Sequence, residues 1–119
     1  MVIDARDYNA RKASGKISGA FLITSDYGDP TKNEFNEKTI FKKFNSKKFK
    51  KNLKKRSIAG VTKVSELGQI KYVLFCNGFK CHRSSWAACQ LRNYGVPYEN
   101  ITINLGGFSE LKDSGAKIK

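Results

Sequence analysis

No apolar run in this chain approaches the roughly 20 residues that cross a bilayer as a helix, so no such span is expected. Histidine occurs once, at His82, and cysteine three times, at positions 76, 81 and 89. An odd cysteine count argues against a secreted disulfide framework. Cys76, Cys81 and His82 would need a fourth metal ligand, and their spacing fits no structural zinc pattern, so neither metal nor cofactor is expected. No secretory signal is read, because strand-like sequence follows Met1 at once. The cytoplasm is the expected compartment, or the periplasm if a targeting segment precedes Met1. Acidic residues are also scarce, 10 against 23 lysines and arginines, for a net charge of +13. Such a field draws small anions toward the molecule.

What is present fits one domain over residues 1–119, with enough apolar residues (39%) for a core that needs no staple. Short apolar segments alternate with helical ones. Val2–Ala5, Phe21–Ile23, Ile58–Val61 and Ile101–Ile103 read as strands. Tyr72–Cys76 is the clearest, and its unbroken apolar character suits a strand buried on both faces. Residues 8–14 read as a weak helix or loop, and residues 34–55 as two helices separated at Asn45-Ser46. Ser84–Tyr94 reads as a helix with Ser84 or Ser85 as N-cap and Gly95 as its stop. A last short helix is expected over Phe108–Asp113, after the Gly106-Gly107 turn. This order predicts an α/β fold with a mainly parallel central sheet flanked by helices.

Nine basic residues and no acid lie between Lys42 and Arg56. Nucleic acid, anionic lipid or an acidic partner would suit them. A solvated helix face is the preferred reading, with Ile40, Phe41, Phe44, Phe49 and Leu53 packing inward. Neither nucleic acid nor a membrane is expected as a partner.

Chemistry concentrates where the clearest strand ends. Ligands of open parallel sheets bind beyond the carboxyl ends of the strands. Cys76, Asn77, Gly78, Phe79, Lys80, Cys81, His82, Arg83 and Ser84 run from such an end into a helix. Backbone amides and a helix N-terminus there form an anion cradle. A thiol at its floor is expected to ionise more readily, which makes Cys76 the candidate nucleophile. Lys80 and Arg83 are candidate contacts to an anionic substrate, and Arg83 is able to bond an oxyanion bidentately. Cys81 is a candidate resolving thiol or a small loop residue facing the core. His82 reads as a polar surface residue near the site, and Cys89 as a buried, inert one.

The strand ending in Cys76, its loop, and Arg83-Ser84-Ser85-Trp86-Ala87-Ala88 resemble the active-site segment of the rhodanese (sulfurtransferase) domains. Three more segments match in order: Ile3-Asp4-Ala5-Arg6, Gly15-Lys16-Ile17-Ser18-Gly19-Ala20, and Leu105-Gly106-Gly107-Phe108. Lys16 and Ser18 depart from the family's usual turn. Six residues separate Cys76 from Arg83, against four in the common rhodanese loop and five in phosphatases and arsenate reductases of the same fold. A subgroup with Cys-Asn-Gly and a second loop cysteine looks similar. Residues 29–57 read as a basic insertion. The resemblance implies transfer of sulfane sulfur from a small anionic donor such as thiosulfate, through a persulfide on Cys76, to cyanide, a thiol or a sulfur carrier. A non-catalytic anion-binding module and a phosphatase or arsenate reductase remain the alternatives.

Overall fold

The computed structural model describes residues 1–55, 64–77, 82–104, 106–115 and 118, with the backbone alone at Asn52, Leu53, Lys55, Val64 and Ser65. The expected strand at Ile58–Val61 lies outside the described residues.

Four strands form: β1 (Val2–Asp4), β2 (Phe21–Leu22), β3 (Tyr72–Phe75) and β4 (Ile101–Asn104). They pair in the order β2-β1-β3-β4, and every pairing is parallel. Val2 stands opposite Val73, Ile3 opposite Leu74 and Asp4 opposite Phe75. The Ala5 amide extends this ladder by donating to the Phe75 carbonyl at 2.9 Å. All four strands therefore finish at one edge, which is where a ligand site is expected.

The helices are α1 (Tyr8–Ser14), α2 (Glu37–Phe44), α3 (Lys47–Lys55), α4 (Arg83–Asn93) and α5 (Gly107–Asp113). Side chains alternate across a strand, so one face carries Ile3, Ala5, Tyr72 and Leu74. These pack with Ile40 and Phe44 of α2, Phe49 of α3, and Ala87 and Leu91 of α4. Phe44 and Phe49 stack at 4.1 Å between centroids, which joins the two basic helices to the core through their aromatic residues. The opposite face places Phe75 against Ile17, Ala20 and Phe108. Helix α2 starts at Asn36, whose side chain accepts from the Thr39 amide at 2.9 Å. The break at residues 45–46 falls where it was expected, with the Ser46 hydroxyl accepting from the Phe49 amide at the start of α3.

Helix α4 corrects the expected cap. It begins at Arg83 after His82, and His82 makes no side-chain capping bond. Ser84 is inside the first turn and buried, where its hydroxyl meets Cys76 rather than an amide. Gly95, at φ 94°, does end this helix.

Under the site edge lies a fully buried ion pair. Arg6 Nη2 reaches Asp4 Oδ2 at 2.8 Å, and Nε reaches both Asp4 oxygens at 3.0 and 3.2 Å. Nη2 also donates to the Gly15 carbonyl at 2.7 Å, and the guanidinium lies 4.0 Å from the Phe108 ring centroid. Removing one member strands the other charge in the core. Arg6→Ala is therefore expected to cost about 3–5 kcal/mol in urea unfolding.

Glu34 ties the exit of β2 to α2. It accepts from the Thr24 amide at 2.9 Å and pairs with Lys43 at 3.1 Å. Burial alone would raise its pKa, but those two partners, with Arg11, hold it below the ordinary 4.5. Its stabilising contribution is then present above about pH 4.5 and is lost as pH falls through the depressed value. In acid titrations of stability, Glu34→Gln is expected to decline less steeply below that pH than the parent.

Candidate active site at the carboxyl edge of the sheet

Cys76 directly follows β3 and is 1% exposed. Its carbonyl accepts from the Phe108 amide at 2.7 Å, and the Asn77 carbonyl accepts from the Ser109 amide at 3.4 Å. The start of α5 thus pins the exit of β3. On the other side, the Cys76 Sγ lies 3.5 Å from the Ser84 hydroxyl in the first turn of α4. The buried sulfur thus lies beside the first turn of an 11-residue helix. The contact between sulfur and hydroxyl is a weak hydrogen bond in which either atom is able to donate.

Arg83 occupies the junction of three strand ends. Its Nη1 donates to the Ser25 carbonyl at 2.8 Å and lies 3.5 Å from Asp26 Oδ2. Its Nη2 contacts Asp7 Oδ2 at 3.3 Å. Asp7 is also the N-cap of α1, with Oδ1 accepting from the Ala10 amide at 2.7 Å. One guanidinium therefore ties the loop after β1, the loop after β2 and the start of α4. The sequence marked Arg83 as a candidate contact to an anionic substrate; in the structure the carboxylates of Asp7 and Asp26 lie against its guanidinium.

A cleft of about 870 Å³ opens beside this junction. Asn77, His82, Arg83, Ser85, Trp86 and Cys89 form one side, and Asp26, Tyr27 and Gly28 the other. The Tyr27 and Trp86 rings meet edge to face, 4.9 Å apart at 89°. Asp26 shapes the facing loop, its Oδ1 accepting from the amides of Gly28 at 3.1 Å and Asp29 at 3.0 Å.

The expected site residues are thus partly assembled. Cys76 and Ser84 meet, Asn77, His82 and Arg83 line the mouth, and Gly78, Phe79, Lys80 and Cys81 lie outside the described residues. Cys89 is a correction. It was read as buried and inert, but it is exposed and lines the cleft. Ala87 and Leu91 face the core, and two residues along a helix is about 200° of rotation, so Cys89 points the other way. Asp7, Asp26 and Tyr27 were not expected at the site. The faint signal for them was position, since each follows a strand that ends at this edge.

The match to known families decides the assignment. The rhodanese-like domain model covers residues 1–114. The chain belongs to the rhodanese-like domain family. A search of curated proteins finds no match. Among solved structures, the rhodanese-like fold is shared with a protein of unknown function from Rhodopseudomonas palustris, described as a possible tyrosine phosphatase. The two are 21% identical with a TM-score of 0.54, over all of this chain and 70% of that one. At that identity the likeness concerns fold alone. Within this rhodanese-like domain, Cys89 is expected to be alkylated by iodoacetamide in the native state as readily as an exposed cysteine. Peptide mapping by mass spectrometry checks this, and protection until unfolding would contradict the outward placement.

Proposed function

We propose that this rhodanese-like domain is a sulfurtransferase with Cys76 as its nucleophile. The observation that carries the reading is the placement of Cys76 at the carboxyl end of β3, 3.5 Å from Ser84 in the first turn of α4. This is a strand-end thiol beside a helix amino end, within the rhodanese-like domain family. In the first step the Cys76 thiolate attacks the outer sulfur of an anionic donor such as thiosulfate. The donor S–S bond breaks, sulfite leaves with the bonding pair, and a persulfide remains on Cys76. In the second step cyanide or a thiolate attacks the terminal sulfur, and the Cys76 thiolate departs. Division into two displacements is ordinary covalent catalysis.

The chain's own groups then take distinct roles. The first turn of α4 offsets the negative charge of thiolate and persulfide. Ser84 orients the sulfur. Arg83, held by Asp7 and Asp26, is a positioning residue that keeps the mouth open at fixed width. Bonding of Arg83 to a substrate anion requires exchange with those carboxylates. Cys81 remains the proposed resolving thiol.

The test is sulfur transfer from thiosulfate to cyanide, followed as thiocyanate. Cys76→Ser is expected to fall to the uncatalysed background, because the serine hydroxyl is a poor nucleophile for sulfur. Equal turnover in Cys76→Ser and parent would remove Cys76 from the chemistry. Absence of transfer in the parent together with turnover of an aryl phosphate would replace sulfur transfer by phosphatase chemistry.

A further inference from the structure

We infer that the cleft between α1 and the segment joining β2 to α2 is a second binding site, which takes a singly charged organic carboxylate on the guanidinium of Arg11. This cleft holds about 630 Å³ and shares only the wall of Asp26 and Arg83 with the cleft along α4. The inference is independent of sulfur transfer and stands or falls by itself.

Arg11 is the first argument. It is 8% exposed, and among the described residues it has no carboxylate partner. Its bonds go to neutral acceptors. Nε donates to the Asp7 carbonyl at 3.3 Å, and Nη2 donates to the Arg6 carbonyl at 2.9 Å and to the Thr24 hydroxyl. Nη1 bonds no described residue, yet it is not sealed from solvent. Its N–H groups are therefore turned to the cleft that Arg11 lines. Burial also pulls the pKa of this guanidinium down, so the fold holds a charge where desolvation opposes it. An anion bonded to Nη1 offsets that penalty through a charge-assisted hydrogen bond.

The balance of charge is the second. Arg11, Lys32, Lys43 and Arg83 line the cleft, against Asp7, Asp26 and Glu34. All three carboxylates are already engaged. Asp7 and Asp26 hold Arg83, and Glu34 holds Lys43 at 3.1 Å and the Thr24 amide at 2.9 Å. Lys32 is exposed and reaches away to Asp29 at 4.0 Å. The positive charge left over is single, and it sits at Arg11. One carboxylate matches it, whereas a doubly charged phosphate group exceeds it.

The remaining walls select an organic body. A carboxylate group alone displaces little more than one water, about 30 Å³ in the liquid, and leaves most of the cleft empty. Tyr8, which is 71% exposed, and the half-buried Leu22 supply apolar surface. The walls are also fixed in advance. Asp7 caps α1 through the Ala10 amide, and the Thr24 hydroxyl donates to the Arg6 carbonyl at 2.9 Å. Asp29 Oδ1 accepts from the Thr31 amide at 3.0 Å and from its hydroxyl at 2.6 Å. Walls ordered before the ligand arrives reduce the entropy lost on binding.

Benzoate is the probe, and benzamide, nearly the same shape without the charge, is its control. Each is titrated into the isotope-labelled domain at constant ionic strength and followed in the amide NMR spectrum. Benzoate is expected to shift the amides of Asn9, Arg11 and Thr31 saturably, with affinity about tenfold above that of benzamide. Tyr8→Ala, at an exposed ring, is expected to weaken benzoate about threefold without loss of fold. Arg11→Gln is expected to remove the preference for benzoate over benzamide. If Arg11→Gln does not fold, the parent's preference and the Tyr8→Ala titration decide. Equal affinity of the parent for benzoate and benzamide overturns the inference. Shifts by benzoate confined to the amides of Trp86 and Cys89 also overturn it, because they place the anion in the cleft along α4. Tighter binding of inorganic phosphate than of benzoate at Asn9, Arg11 and Thr31 overturns the choice of a singly charged organic carboxylate.

Discussion

The parallel pairing of β1 with β3 is the constraint on which the site depends. It fixes Asp4 opposite Phe75, and the Ala5 amide continues the ladder by bonding the Phe75 carbonyl. From that register, Cys76 and the residues after Ala5 leave the sheet side by side. A parallel pair also needs a long crossover, which returns the chain to the same starting edge each time. Strand ends therefore gather at one edge, and Cys76, Ser84 and Arg83 are found there. A slip of one residue would send Cys76 to the opposite face of the sheet, away from Ser84.

Two arginines secure that edge from below and above. Arg6 is buried on the face covered by α5, bound to Asp4, Gly15 and the Phe108 ring. Arg83 is partly exposed at the mouth, bound to Asp7, Ser25 and Asp26. The pair look alike in sequence but differ in energy. Arg6 gains from a low dielectric and would be costly to disrupt, whereas Arg83 shares its bonds with solvent and fixes shape more than stability. Against a background of 23 basic residues, three of the ten acids are spent on these two guanidiniums. Helices α2 and α3 are attached to the core through Phe44 and Phe49, and Lys43 adds bonds to Glu34 and the Leu22 carbonyl.

Much of this was legible from local pattern. The run Tyr72–Phe75 is apolar without interruption and does form the strand paired on both sides. Asn45-Ser46 separates two helices because both side chains bond nearby backbone instead of continuing the turn. The position of Cys76 followed from the end of its strand. What escaped the sequence is set by distance. Arg83 finds Asp7 across 76 positions and Ser25 across 58, and no periodicity connects them. Ser84 was read as a cap because its residue type suits one, yet α4 starts a residue earlier and turns the hydroxyl toward sulfur. Cys89 was read as buried, when the helical register relative to Ala87 and Leu91 turns it outward. Tyr27 sits in a turn-rich segment whose glycine and proline announce a turn and say nothing of the aromatic ring it holds over α4.

The central claim is that Cys76 carries sulfur. Mass spectrometry of the native domain after brief exposure to thiosulfate addresses it directly, with digestion under conditions that preserve persulfides. The account predicts a gain of one sulfur atom, about 32 Da, on the peptide containing Cys76, removed on addition of cyanide. An unmodified Cys76 peptide, or an adduct that forms on Cys89 alone, would contradict it.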